Sequence, residues 1–398
     1  MEGSATVNAP AAPATAGEVS RRGPDLLYGE AERELRDSLR SLLAARCRPE
    51  SVLARIETSE PYDAGLWQSV AAELGCAGLL IPEEQAGAGA SYREAAVVAE
   101  EAGRAVAPVP YLGSAIVATT ALLSAGDDAL LRQLAGGRVT AAFAVGFETP
   151  PGSAFPLMAR VSGPKPRDAG TGVARLRGRI RGVADALPAD FLIVPADGVP
   201  NGLYVVDAHA DGVRRVPVVS LDMTRQLCDL ELDEVPARPI ASGTAAARAV
   251  DAALAAGAAL LASEQLGLAE KCLEMTVAYV KERRQFARPV GSFQALKHRL
   301  ADLWVDLTQA RAAARYAAAC LAAADADAPV AVALAKAYCG DVAVAAAEEC
   351  VQMHGGIGFT WEHPAHLYLK RARSTAIALG TPDAHRASLA ALADLPSA

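Results

Sequence analysis

The spacing of apolar positions changes twice along the chain. Over 25–137 apolar residues recur at helical intervals, as in Leu35, Leu39, Leu42 and Leu43 and again in Val97, Val98 and Ala102, which predicts a helical first domain. One irregular break, LGCAGLLIPEEQAGAGASYREA at 74–95, interrupts it. Over 138–240 the apolar residues fall into short runs, AAFAVGF, FLIVPA, GLYVVDA and CDLELDEV, separated by Gly, Pro and Asp. Such runs predict strands joined by turns, and so a compact β domain. Helical spacing returns over 241–398 in four segments: one ending near Phe286, then 293–324, 329–353 and 384–392. Four helices with apolar stripes predict a bundle. Residues 1–24, rich in Ala, Pro, Thr and Gly, offer too little apolar surface to order and lack the apolar stretch of a signal peptide, so a flexible tail is expected.

At 398 residues and 52% hydrophobic, the chain can bury large cores in two or three domains. A net charge of -8 without a Lys/Arg block argues against nucleic acid, whose phosphates need a clustered positive surface. The cysteines (Cys47, Cys76, Cys228, Cys272, Cys320, Cys339 and Cys350) are odd in number, scattered and without a CxxC pair. That pattern suits reduced thiols in the cytoplasm better than a disulfide framework or a zinc site. Every apolar run long enough to span a bilayer is interrupted by charged or small polar side chains, so no membrane span is expected.

Candidate chemistry gathers near the carboxy terminus. Arg283 and Phe286, three apart at the expected end of a long helix, share one face and can offer a guanidinium and a ring to one ligand. Gln294 adds a donor and an acceptor, and Arg288-Pro289 turns the chain between helices. Taken singly, each is as well explained by packing or solvation. Gln352 closes the next helix, and Gly355, Gly356 and Gly358 form a loop whose N–H groups can approach a phosphate. Alone, that loop reads equally as a helix cap followed by a turn. His363 and His366 form an HxxH pair, but no carboxylate or thiol spacing completes a metal ligand set. No P-loop, GxGxxG fingerprint or nucleophile elbow is present.

Read as whole strings, KERRQFARPVGSFQALKHRLADLW at 281–304 and VQMHGGIGFTWEHP at 351–364 closely resemble the flavin-binding half of the acyl-CoA dehydrogenases. The resemblance implies an α+β fold: an N-terminal helical domain, a middle β-barrel-like domain and a C-terminal four-helix bundle. It implies FAD as cofactor, with Arg283, Phe286, Gln294, Gln352, Gly355, Gly356 and Thr381 as its contacts, several of them made across a subunit interface in a tetramer. It also implies an acyl-CoA substrate and electron-transferring flavoprotein as acceptor. Family chemistry removes an α-proton with a glutamate of a Glu-Gly-Thr triplet while the β-hydrogen leaves as hydride to the flavin.

Here the triplet reads Leu379-Gly380-Thr381, and the alternative base position on the preceding long helix aligns with Gly257. Three readings follow. The chain is one subunit of a heteromeric complex, similar to actinobacterial members of the family in which a related subunit keeps the glutamate; or a shifted carboxylate, Glu264 or Asp383, replaces it; or the chain is an inactive assembly or regulatory partner. Asp383 equally reads as an acid at a helix N-terminus, and Glu264 as half of a buried pair or part of a solvated face. GFETPPGS at 146–153 and GVADA at 182–186 only loosely echo the family's flavin-lining strands.

Overall fold

The computed structural model describes residues 24–58, 62–162, 173–198 and 200–395. The expected tail, save Pro24, lies outside them. Helices α1 (Glu30–Arg46), α2 (Pro49–Ile56), α3 (Ala64–Gln68), α4 (Tyr92–Ala105), α5 (Thr119–Ala125) and α6 (Asp128–Ala135) precede the first strand. A capping box starts α4: the Ser91 side chain accepts from the Arg93 N–H, and the Glu94 carboxylate accepts from the Ser91 N–H at 2.9 Å. The irregular break before it folds as short turns, Cys76–Gly78 and Glu83–Gln85.

Strands β1 (Ala141–Phe143), β2 (Ala159–Ser162), β3 (Ala174–Ala184), β4 (Phe191–Asp197), β5 (Gly202–Asp207), β6 (Val213–Val218) and β7 (Leu227–Ser242) follow. The sheet closes on itself in the order β4-β2-β3-β7-β5 and back to β4, with β1 beside β4 and β6 on β7. Alternation along β7 sends Cys228, Leu230 and Leu232 inward, then Val235 and Ala237. The extra residue between those sets is a bulge, with Glu234 at φ +54, and it resets which face is buried. Leu176, Ile180, Leu192, Val194 and Leu230 fill a barrel core separate from the helical one.

The chain then enters α7 (Gly243–Glu282), 40 residues and about 60 Å long. Burial is continuous from Ala256 to Ala269 because α7 crosses α4 backbone to backbone. A Cβ on Gly103 would sit 2.0 Å from the Glu264 carbonyl oxygen, and one on Gly267 1.8 Å from that of Glu100, so only glycine permits this crossing. After α7 come a hairpin of β8 (Arg284–Gln285) and β9 (Arg288–Pro289), then α8 (Gln294–Ala322), α9 (Ala328–His354), α10 (Ala365–Ile377) and α11 (Pro382–Leu392).

Two expectations need correction. The long helix stops at Glu282 instead of reaching Phe286, so Arg283 and Phe286 do not share a helix face; Phe286 stands on the hairpin turn. The described bundle also contains α10, which lacked a legible apolar stripe because Arg371 and Thr375 occupy buried positions of its inner face beside Leu367, Tyr368 and Ala372. Two stretches, Gly243–Glu282 and Ala328–Phe359, are long and apolar enough to cross a membrane, yet 67% of the most apolar window of each is buried inside the protein, as in core helices.

Candidate functional site

The end of α7, the hairpin, the start of α8 and the end of α9 enclose a groove of about 340 Å³. Arg283, Phe293, Arg299, Gln352, His354, Gly355 and Gly356 are among its lining residues. Three local features shape it. Arg283 caps α7 in an extended conformation, which turns the chain out of the helix, and among the described residues it has no ion-pair partner. Gly355, at φ +62, breaks α9, and nothing lies within 4 Å of a Cβ built on it or on Gly356. The guanidinium of Arg288 stacks 3.9 Å from the Phe293 ring centroid and stiffens the hairpin base. The Gly355 N–H donates to the Gln352 carbonyl, so a free guanidinium beside a glycine turn that no side chain covers is what the groove offers a diphosphate.

Phe286 is 87% exposed, held edge-on to Phe293 at 6.2 Å. It and Ala287 form a two-residue turn with φ +52 and +63. Such turns favour Asn-Gly, so the hairpin carries strain while presenting an aromatic ring to solvent. Gln294, the first residue of α8, is exposed beside the groove. Thr381 stands apart: its hydroxyl accepts from the Ala384 N–H at 3.2 Å and caps α11.

A second site lies between the barrel and the bundle. Leu112, Val117, Phe143, Val145, Phe147, Leu254 and Leu379 line an apolar cavity of about 30 Å³, joined by Ala184 of the GVADA segment. A Cβ on Gly257 would fall 2.9 Å from Leu379 Cδ1 and 2.8 Å from Val117 Cγ2. Both places where a base is expected therefore face each other, and neither holds a carboxylate. A space of that size takes about one water molecule and no tricyclic ring.

The Leu379-Gly380 turn is firmly held although Leu379 sits at φ +54. Its N–H donates to the Phe147 carbonyl at 2.7 Å, and the His385 Nε2–H donates to its carbonyl at 2.8 Å. Lys336, fully buried, donates to the carbonyls of Thr375 at 3.0 Å and Gly380 at 3.1 Å. Burial brings its ammonium pKa down to about 8.

Glu264 is no free base. Its carboxylate accepts from Arg225 at 2.6 Å and from Arg371 Nε at 2.8 Å, and Arg371 also donates to the Thr224 hydroxyl at 3.0 Å. Burial acts to raise its pKa, but the two guanidinium charges outweigh it and hold the carboxylate below its usual range. Asp383 sits in the first turn of α11, 93% exposed and paired with Arg386. Neither carboxylate reaches the cavity. The sequence reading missed Arg225, Arg371 and Lys336; the one signal for Lys336 is a lone charge inside AVALAKAYCG.

A helical domain, a closed barrel and a long-helix bundle meeting at a buried cavity define the acyl-CoA dehydrogenase architecture. The profile of the acyl-CoA dehydrogenase N-terminal domain matches residues 29–137 and that of the C-terminal domain residues 247–393. Acyl-CoA dehydrogenase IpdE2 of Mycolicibacterium smegmatis is 37% identical over 88% of this chain and 95% of its own length. Among solved structures, the Tcur3481-Tcur3483 steroid ACAD superposes with a TM-score of 0.79 at 30% identity, covering 92% of this chain and 98% of that one. The ChsE4-ChsE5 complex from Mycobacterium tuberculosis gives 0.81 at 27% identity, covering 94% and 100%. The chain belongs to the acyl-CoA dehydrogenase family, FAD-dependent oxidoreductases.

Proposed function

We infer that this chain is one subunit of a heteromeric acyl-CoA dehydrogenase, offering its bundle groove to a flavin whose reacting ring lies in a related chain that also supplies the carboxylate base. The contrast between the two sites carries the reading: the groove, about 340 Å³, is lined by Arg283 and Arg299, whereas the cavity beside Leu379 is apolar and only about 30 Å³. Arg283 and the glycine turn at Gly355 and Gly356, whose Gly355 N–H is taken by the Gln352 carbonyl, suit the diphosphate of FAD, Gln352 and Gln294 its polar edges, and Phe286 its adenine. Thr381 is the one assigned contact this arrangement leaves out, because it serves as a helix cap. FAD, when bound, supplies the hydride acceptor for α,β-dehydrogenation of an acyl-CoA.

The likeness to a steroid ACAD makes CoA thioesters of steroid-derived acyl chains the first substrates to try. Electron-transferring flavoprotein is the proposed acceptor. The cysteines are all unpaired, which suits the reducing cytoplasm. The small size of the cavity, about 30 Å³, also favours a second reading, a purely structural partner that touches no cofactor.

Co-expression with a relative that keeps Glu in its Glu-Gly-Thr triplet separates the two. Turnover is expected only from the mixed complex. Arg283→Ala in this chain should lower the flavin content of that complex, since a charge-assisted hydrogen bond is worth roughly 1.5–3 kcal/mol. Unchanged flavin content would leave only the structural reading.

A further inference from the structure

Away from the groove and the Leu379 cavity, a cleft of about 170 Å³ lies where α1, the turn between α1 and α2, α4, α7 and α10 meet. Lys271 of α7 lines it and stands twelve residues before Arg283, about 18 Å along the helix, so cleft and groove are separate sites. Four cations line the cleft: Arg40, Arg48, Arg104 and Lys271. Three of them already have carboxylates. Arg40 forks onto Glu101, with its Nε 2.9 Å from Oε2; Arg104 reaches Glu270 at 3.4 Å and also Glu274; Lys271 pairs with Glu274 at 2.6 Å. Arg48, exposed at the start of α2, has no partner for its guanidinium among the described residues. Leu43, Pro49 and Ala105 add carbon surface, and the Tyr368 hydroxyl is engaged by the Arg104 carbonyl at 2.8 Å.

We propose that this cleft binds a short-chain aliphatic carboxylate, its carboxylate forked on Arg48 and its chain laid against Leu43, Pro49 and Ala105. The charge balance selects the headgroup. One unpaired guanidinium matches one negative charge and takes the two oxygens of a carboxylate side by side, whereas a phosphate dianion needs a second unpaired cation. The size of the cleft selects the tail. A water takes about 30 Å³ in the liquid, so 170 Å³ has room for roughly six non-hydrogen atoms, a chain of about five carbons with its carboxylate reaching out to Arg48. Because Leu43 and Arg48 belong to the first domain and Lys271 and Tyr368 to the bundle, such a ligand touches both and binds only the folded chain. It therefore stabilises the fold in proportion to its occupancy.

The inference goes beyond the flavin assignment, because its readout needs no cofactor. The full chain is melted in increasing pentanoate and, at the same ionic strength, in pentan-1-ol, pentylammonium or acetate. Pentanoate should raise the Tm along a saturating curve, and the other three should leave it unchanged. Arg48→Gln, at an exposed position, should keep the ligand-free Tm and lose the pentanoate shift. Arg283→Ala should keep that shift, since the groove is a different site. A pentanoate response that is absent, matched by pentan-1-ol, retained in Arg48→Gln or lost in Arg283→Ala would overturn the assignment.

Discussion

At Leu379 a side chain that cannot accept a proton is kept in a left-handed conformation and buried to 3% exposure. Three hydrogen bonds, from the Leu379 N–H, His385 and Lys336, hold that turn in place. The turn geometry thus persists while its carboxylate is missing. Leu379→Glu would bury a carboxyl against Val117, Leu254 and Gly257 with no partner, and should cost about 1–3 kcal/mol of stability. Thermal unfolding should register that loss, and an acyl-CoA panel should show no turnover by the variant alone; turnover would mean the cavity opens to a substrate. Ala287 tests the hairpin. Glycine relieves the left-handed penalty at that position but loosens the unfolded chain, so Ala287→Gly should add about 0.5–1 kcal/mol. An unchanged or lower Tm would contradict a turn of this type.

Between elements, Glu264 of α7 joins Arg371 of α10 to Arg225 in the loop between β6 and β7, tying barrel to bundle. Removing one member of a buried ion network strands the others, so Glu264→Gln should destabilise by roughly 3–5 kcal/mol. Its pH dependence has a definite sign. A carboxylate whose folded pKa lies below its unfolded value, about 4.3, adds stability above that value and loses it as pH falls. Urea midpoints should therefore fall on acidification in the native chain and fall less in Glu264→Gln; parallel curves would dismiss the network.

The same elements show what could be read in the sequence. Strands and long helices were legible because apolar spacing follows period, and the groove-lining strings because Gln352, Gly355, Gly356 and Arg283 stay close to the breaks that shape the groove. Helix α10 was not, because its buried face carries Arg371, whose charge is met by Glu264 far away in the chain, and Thr375, whose hydroxyl donates to the Ala372 carbonyl in the preceding turn. The Arg283–Phe286 geometry failed for a related reason. A two-strand hairpin begins where the helical pattern still runs, and positive φ at Phe286 and Ala287 leaves no mark in non-glycine residues.

Over the whole molecule, a roomy groove lined by arginines and a small apolar cavity lie on one chain of an FAD-dependent family. On the proposed function, that combination reflects a site whose base and flavin ring belong to a related subunit. The most direct test is the visible spectrum of the purified chain, alone and after co-purification with a Glu-bearing relative, before and after anaerobic acyl-CoA. The account predicts no flavin band from the chain alone, and from the complex a flavin band that bleaches with substrate and weakens with Arg283→Ala. A flavin band from the chain alone that bleaches with acyl-CoA would contradict it.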